Sequence, residues 1–257
     1  MIDYTLVVGV DHKHLRQLEM TFPTWIRHKP SLLEQPMLVF FDRTLVTGRD
    51  VRSAIDHPRL SVVGWPREAQ VYERQSDDRF GDPQRYKMLS GFVHVPARYV
   101  RTPYWLKLDT DVVAVGCDDW IDPKWFEGGP AIVSHPWGFT KPGDQMIKLD
   151  EWANKISQLK DHPPLNLVPE PGSNRVGHKR IISWCGFFHT GFTFLAAQCA
   201  DLWAGSGKLP VPSQDGYLWY IAKRMGYGIE RVSMKARGWE HWSTEANIRK
   251  AVERAMT

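Results

Sequence analysis

The segment Tyr104-Trp105-Leu106-Lys107-Leu108-Asp109-Thr110-Asp111-Val112 decides how the rest of the chain is read. Four of its first five residues are large and apolar, and the run stops at two acids, the pattern of a buried strand with carboxylates at its carboxyl end. In parallel α/β sheets ligands collect at that end of the strands, so these acids stand where a site is expected. Carboxylates two positions apart on an extended chain project to the same side and can converge on a cation. Donors that offer only oxygen suit Mg²⁺ or Mn²⁺, and Mg²⁺ is commonly held by one or two carboxylates plus the phosphates of a substrate. A nucleoside diphosphate is the ligand this implies. The plainer alternative is that Asp109-Thr110-Asp111 ends a strand as a turn former or helix cap.

Upstream, strand and helix patterns alternate. Thr5 to Asp11 reads as a buried strand ending in an acid, and His14 to His28 carries Leu15, Leu18, Phe22, Trp25 and Ile26 at helical spacing, with Pro23 expected to kink or split the helix. Pro36 to Asp42 is a second strand ending in an acid, Val51 to Ile55 a short helix and Leu60 to Trp65 a third strand. After a polar loop from Gln75 to Pro83, Gln84 to Val95 reads as a helix leading to the Tyr104 strand. This order predicts an α/β fold with a mostly parallel central sheet flanked by helices. Downstream the pattern is less regular. Ala131 to His135 reads as a strand, Gln145 to Leu159 as a helix, and Asp161 to His178 as a Pro- and Gly-rich loop of a length that suggests a lid or acceptor loop. Ile181 to Leu195 reads as one or two strands, and Tyr217 to Met225 as a helix stopped by Gly226. With no repeat and no linker-like run, residues 1–257 are expected to form a single domain.

Composition excludes several classes. With 257 residues, 42% hydrophobic and 24% charged, the chain is an ordinary globular protein rather than a disordered segment. Its net charge of +4 is scattered, which argues against a nucleic-acid footprint. Cys117, Cys185 and Cys199 form no CxxC pair, so neither a disulfide framework nor a cysteine-rich zinc site is expected, and a reducing, cytoplasmic setting is the simpler expectation. The N-terminus runs directly into a strand pattern without the marks of a signal peptide, and no stretch has the apolar length of a transmembrane segment.

The Tyr104–Val112 segment resembles the D-x-D segment of GT-A-fold glycosyltransferases. Gln214-Asp215-Gly216-Tyr217 and the residues up to Gly226-Tyr227 are similar to the Glu-Asp segment of inverting family 2 enzymes, in which an acidic pair opens a helix ending in Gly-Tyr. His241, within Trp239-Glu240-His241-Trp242, lies where many GT-A enzymes carry a late histidine. The resemblance implies a single GT-A-like domain, with residues 1–111 as a nucleotide-sugar half and 112–257 as an acceptor side. It implies that Asp111 binds a divalent Mn²⁺ or Mg²⁺, that Asp109 holds the ribose or sugar or reaches the metal through water, and that His241 completes the metal site. Asp42 and Asp11 would then lie near the base and ribose, and Asp215 would be the general base. The donor would be a UDP- or GDP-sugar, the acceptor a carbohydrate or other hydroxyl, and the outcome inversion. One departure stands out: Gln214 replaces the family's Glu, so the pair carries one charge. Asp215 also fits a simpler role, an acid in the first turn of a helix capped by Ser213.

Lys87 and Arg85, on the helix before the D-x-D strand, are read either as solvated charges on an exposed face or as candidates to face the nucleotide or its phosphates, and Lys235 and Arg237 are candidates to clamp the diphosphate instead. The same Asp109-Thr110-Asp111 also fits the first motif of haloacid-dehalogenase-like phosphatases, but that motif normally opens its domain. A nucleotidyltransferase would need a Gly-rich, basic loop after the first strand, which Val8-Gly9-Val10-Asp11-His12-Lys13 does not supply. No P-loop or G-x-G-x-x-G stands in place for a kinase or dehydrogenase. A non-catalytic, transferase-like carbohydrate-binding protein is the remaining alternative. Of 12 tryptophans, nine follow residue 110, and Trp137, Trp184 and Trp242 are the candidates near a sugar site.

Overall fold

The computed structural model describes residues 2–43, 46–65, 83–116, 118–138, 143–156, 159–165, 179–205 and 214–257. Strand β1 (Tyr4–Val10), helix α1 (His12–His28), strand β2 (Met37–Phe41), helix α2 (Gly48–Ala54) and strand β3 (Leu60–Gly64) follow the predicted alternation. The three strands are parallel neighbours, with Val8 opposite Val39 and Val39 opposite Val62. Asp11 ends β1 and caps α1, its carboxylate accepting from the backbone N–H of His14 at 2.9 Å. Helix α1 runs through Pro23 as one element, so of the kink or split expected there the split does not occur. Leu15, Leu18, Phe22 and Trp25 bury one stripe on both sides of the proline, and that burial outweighs the cost of about 3 kcal/mol for an interior proline.

Helix α3 (Pro83–Tyr99) leads to strand β4 (Tyr104–Leu108), which lies parallel to β1 with Tyr104 beside Tyr4 and Lys107 beside Val7. The Tyr104 segment is therefore a central strand. Next come strand β5 (Val112–Ala114), strand β6 (Ile132–Gly138), helix α4 (Gly143–Ala153) and strand β7 (Lys179–His189). Strand β7 pairs antiparallel with β4 on one side and with β6 on the other. Strand β8 (Ile229–Arg231), parallel to β6, completes the seven-stranded order β3-β2-β1-β4-β7-β6-β8. The predicted loops from Gln75 to Pro83 and, for the most part, from Asp161 to His178 lie outside the described residues.

Several segments differ from the sequence reading: the helix expected over Gln145 to Leu159 ends at Ala153, and the short strands β5 and β8 were not expected. The run from Ile181 to Leu195 is not all strand: β7 stops at His189, and Thr190–Gly205 form helix α5. An apolar run such as Gly191-Phe192-Thr193-Phe194-Leu195 reads alike for a buried strand or helix. Contacts from elsewhere settle it, since Thr190 donates its N–H to Pro103 O at 2.9 Å and its hydroxyl to Thr102 O at 2.7 Å, which turns the chain. After helix α6 (Gln214–Arg224), the end of the chain adds strand β9 (Trp239–His241) and helix α7 (Glu245–Met256), neither expected from sequence. Strand β9 pairs antiparallel with β5 as a separate two-stranded sheet. Apolar clusters fill both faces of the large sheet, one around Phe92, Trp105, Phe188 and Tyr217, the other around Leu6, Trp25, Leu106 and Trp239. Among the described residues no helix is long and apolar enough to cross a membrane.

Candidate functional site

The carboxyl end of β4 gathers the acids. Asp109 continues the ladder by one residue, its N–H donating to Trp184 O at 2.8 Å, and a turn closed by Val112 N–H on Asp109 O at 3.2 Å sends the chain into β5. Because β5 pairs with β9, Val112 lies opposite His241, and Trp242 N–H donates to Asp111 O at 3.1 Å. A histidine distant in sequence is thereby placed on the acidic pair. Donor atoms of Asp109, Asp111 and His241 lie within 4.8 Å of one another. His241 Nε2 is 3.3 Å from Asp111 Oδ1, an oxygen that is buried and makes no hydrogen bond.

A buried carboxylate oxygen without a hydrogen bond is costly unless a cation meets it. Two carboxylates and an imidazole are a donor set that Mn²⁺ or Mg²⁺ accepts. The residues present therefore fit a divalent ion. Burial by itself would lower the pKa of His241, but its contact with Asp111 and the charges of Asp111 and Asp109 outweigh it and raise the pKa above the ordinary value. Burial pushes the carboxyl of Asp109 up; the ammonium of Lys107, ion-paired with it, acts the other way, while Asp111 and Asp215 add to the rise.

Helix α1 holds this segment through side chains the sequence reading passed over. Thr21 donates its hydroxyl to Thr110 O at 2.9 Å, Thr110 donates its hydroxyl to Gln17 Oε1 at 2.9 Å, and Trp25 Nε1 donates to Val112 O at 2.6 Å. Thr24 Oγ1 accepts from Ala114 N–H at 3.1 Å. Gln17, Thr21 and Thr24 are all buried polar residues. Their signal in the sequence is polar side chains set at helical spacing inside an otherwise apolar stripe. Trp184 is a second support. It is 3% exposed, its ring lies nearly parallel to His241 at 5.8 Å and 16°, and His135 sits at 5.5 Å and 47°. A bulge between Ser134 and His135 accompanies that placement, as bulges often do beside sites. Trp184 thus adjoins the site, as expected, but its ring packs against imidazoles and leaves little surface for a sugar.

The other candidates fall as follows. Asp215 opens α6, is half-buried, and lies close enough to act on Asp109. Asp11, besides capping α1, contacts His14 Nδ1 at 2.7 Å, and Asp42 is 4% exposed at the end of β2, with its N–H on Val10 O at 3.0 Å. Lys87 lies on α3, and the side chains of Lys87, Arg85, Gln214 and Trp137 are outside the described residues. Arg237 stacks over Trp125 at 5.0 Å, whereas Lys235 is near enough to His135 to join burial in lowering that residue's pKa. Trp242 is half-buried and donates to Glu240 at 3.2 Å.

No family model and no curated protein matches the chain. Solved structures do. Core-mannan synthase A from Aspergillus fumigatus, in its Mn/GDP form, is similar with a TM-score of 0.58 at 11% identity, over 94% of this chain and 75% of that one. The 4-diphosphocytidyl-2C-methyl-D-erythritol synthase from Anaerococcus prevotii is similar with a TM-score of 0.54 at 10% identity, over 100% of this chain and 97% of that one. The chain has the GT-A-type fold that the sequence resemblance implied, a mixed α/β sheet with helices on both faces.

Proposed function

We propose that the protein is a metal-dependent glycosyltransferase that moves a sugar from a UDP- or GDP-sugar to an acceptor hydroxyl with inversion. The observation that carries this reading is the convergence of Asp109, Asp111 and His241 at the carboxyl end of β4, with the buried Asp111 Oδ1 facing His241 Nε2 at 3.3 Å. Asp111 and His241 would hold Mn²⁺ or Mg²⁺ directly, and Asp109 would act through water or on the ribose. A divalent ion held there would neutralise the charge that develops on a departing nucleoside diphosphate. Asp42 and Asp11, at the ends of the neighbouring strands β2 and β1, would serve the base and ribose, with Lys87 toward the phosphates. Asp215 would accept the proton of the attacking hydroxyl on the face opposite the leaving group, and the product would then carry the inverted configuration. The core-mannan synthase similarity supports a GDP-linked donor in the first round of testing. Residues 1–111 form the nucleotide side of this scheme and 112–257 the acceptor side. Cys185 and Cys199, both buried free thiols, support a reducing, cytoplasmic setting.

The test is release of nucleoside diphosphate from a panel of UDP- and GDP-sugars with and without Mn²⁺. Asp111→Ala should abolish metal-dependent donor binding, and Asp215→Asn should preserve binding while removing turnover. Full activity in Asp111→Ala defeats the mechanism, and the anomeric configuration of the product tests inversion separately. A second reading, a nucleotidyltransferase, is favoured by the near-complete coverage of the Anaerococcus prevotii enzyme. Against it, α1 begins at His12 directly after β1, leaving no room for a phosphate-cradling loop. Pyrophosphate release from CTP or UTP would mark that activity.

A further inference from the structure

Lys107 lies beneath the acidic pair with 1% of its surface exposed. It sits on the central strand β4, between Val7 of β1 and Gly186 of β7. Strand alternation puts Trp105, Lys107 and Asp109 on one side, so the lysine stem runs along the apolar face toward the acid. Its Nζ is 4.6 Å from the centre of the Phe92 ring, and its ammonium is ion-paired with Asp109 Oδ1. A buried ammonium needs a partner of opposite charge, and Asp109 provides it. The two carboxylates of the pair are thus unequal: an oxygen of Asp109 is taken by the fixed charge of an internal lysine, whereas the buried Asp111 Oδ1 faces the titratable imidazole of His241 at 3.3 Å.

We propose that Lys107 is a positioning residue that neutralises Asp109, withholds it from direct metal ligation, and sets the affinity of the Asp111–His241 pair for a divalent cation. This rests on the metal-dependent reading of the site. Two effects act together. The lysine occupies the Asp109 oxygen nearest to it, and its positive charge opposes a second cation a few ångströms away. The ion then depends on anionic oxygens from a ligand to complete its coordination, which ties metal retention to occupancy by a diphosphate. The lysine's stem is fixed by the sheet and by Phe92, so it cannot swing away when the ion arrives.

The experiment measures Mn²⁺ binding without nucleotide, by electron paramagnetic resonance of free Mn²⁺, for the full chain and two variants. Lys107→Met removes the cation and is expected to tighten Mn²⁺ binding by on the order of tenfold. Its Mn²⁺-induced rise in melting temperature should exceed that of the parent, because the released Asp109 then has the ion as its counter-charge. The charge-balanced double variant Lys107→Met/Asp109→Asn removes a mutually neutralised pair, is the safer fold, and is expected to bind Mn²⁺ within about threefold of the parent. Unchanged or weaker binding in Lys107→Met overturns the proposal, as does a loss of more than about threefold in the double variant, which would make Asp109 a full ligand and the lysine a scaffold. If the single variant fails to fold, the double variant decides. Absence of Mn²⁺ binding by the parent chain strikes the metal-dependent reading itself, a separate result.

Discussion

Replacing Thr21 by valine removes one hydroxyl and leaves the shape of the side chain almost unchanged, so it probes the link between helix α1 and the acidic segment with little else disturbed. Thr21 is fully buried and donates to Thr110 O at 2.9 Å. Both residues are β-branched, so the helix loses no propensity. What changes is a buried carbonyl that loses its donor, at a cost of about 1–3 kcal/mol. With a urea dependence near 3 kcal/mol per molar, the unfolding midpoint should fall by about 0.3–1 M. The same hydrogen bond stiffens the turn between Asp109 and Asp111, so Mn²⁺ affinity should fall too. That loss cannot exceed the energy of the bond, which limits it to about tenfold for each 1.4 kcal/mol. Urea unfolding followed by circular dichroism, alongside Mn²⁺ titration, reads both effects. A midpoint and an Mn²⁺ affinity both equal to the parent's would refute the idea that α1 holds the site in place.

Further predictions concern the elements that bring distant residues together. Arg224 is buried, pairs with Asp150 at 2.8 Å, and shares that carboxylate with the Tyr220 hydroxyl at 2.5 Å, tying α6 to α4. Arg224→Met should cost about 3–5 kcal/mol, and adding Asp150→Leu should recover part of it; chemical denaturation of both variants checks this. His241 has a raised pKa in the folded chain, so the folded state binds more protons, and its contribution to the stability of the metal-free protein is full below about pH 6.5 and lost as pH rises past the folded value. Metal binding needs the neutral imidazole, so Mn²⁺ affinity should rise over the same window, and His241→Gln should flatten both trends in pH-dependent melting and titration. Gly238 has φ of 77°, and a Cβ there would lie 1.8 Å from Val115 O. Gly238→Ala should therefore lower the melting temperature and weaken Mn²⁺ binding together, since Val115 N–H to Gly238 O at 2.8 Å anchors the start of β9.

The half of the fold built from local patterns was legible, and the half built from long-range pairing was not. Strands β1, β2 and β4 announce themselves because each is buried on both faces and ends near an acid, whereas β3, half-exposed at the edge of the sheet, shows through its apolar run Leu60 to Trp65. Strands β5 and β9 have three residues each, too few to show a period, and they exist because each pairs with the other across about half of the chain. Helix α7 was missed although Thr244 caps it and its buried positions Ile248, Ala251 and Ala255 keep helical spacing. Two of those three are alanines, which carry a weak hydrophobic signal. In the site, Asp109, Asp111 and His241 were readable by resemblance. The buried polar face of α1 was not, because its partners lie far away in sequence, and Trp184, a candidate near a sugar site, gave no sign that its ring packs against imidazoles.

The pairing of β5 with β9 has a consequence for the chain as a polymer. Asp111 and His241 stand about 130 residues apart, and a divalent ion shared between them closes a loop of that length in any partly unfolded state. The ion would act as a removable cross-link, restricting the unfolded ensemble on the logarithmic scale that governs disulfides. Chelation would then release the last strand and helix from the body of the protein, and the first segment to become sensitive to protease would be the one carrying His241.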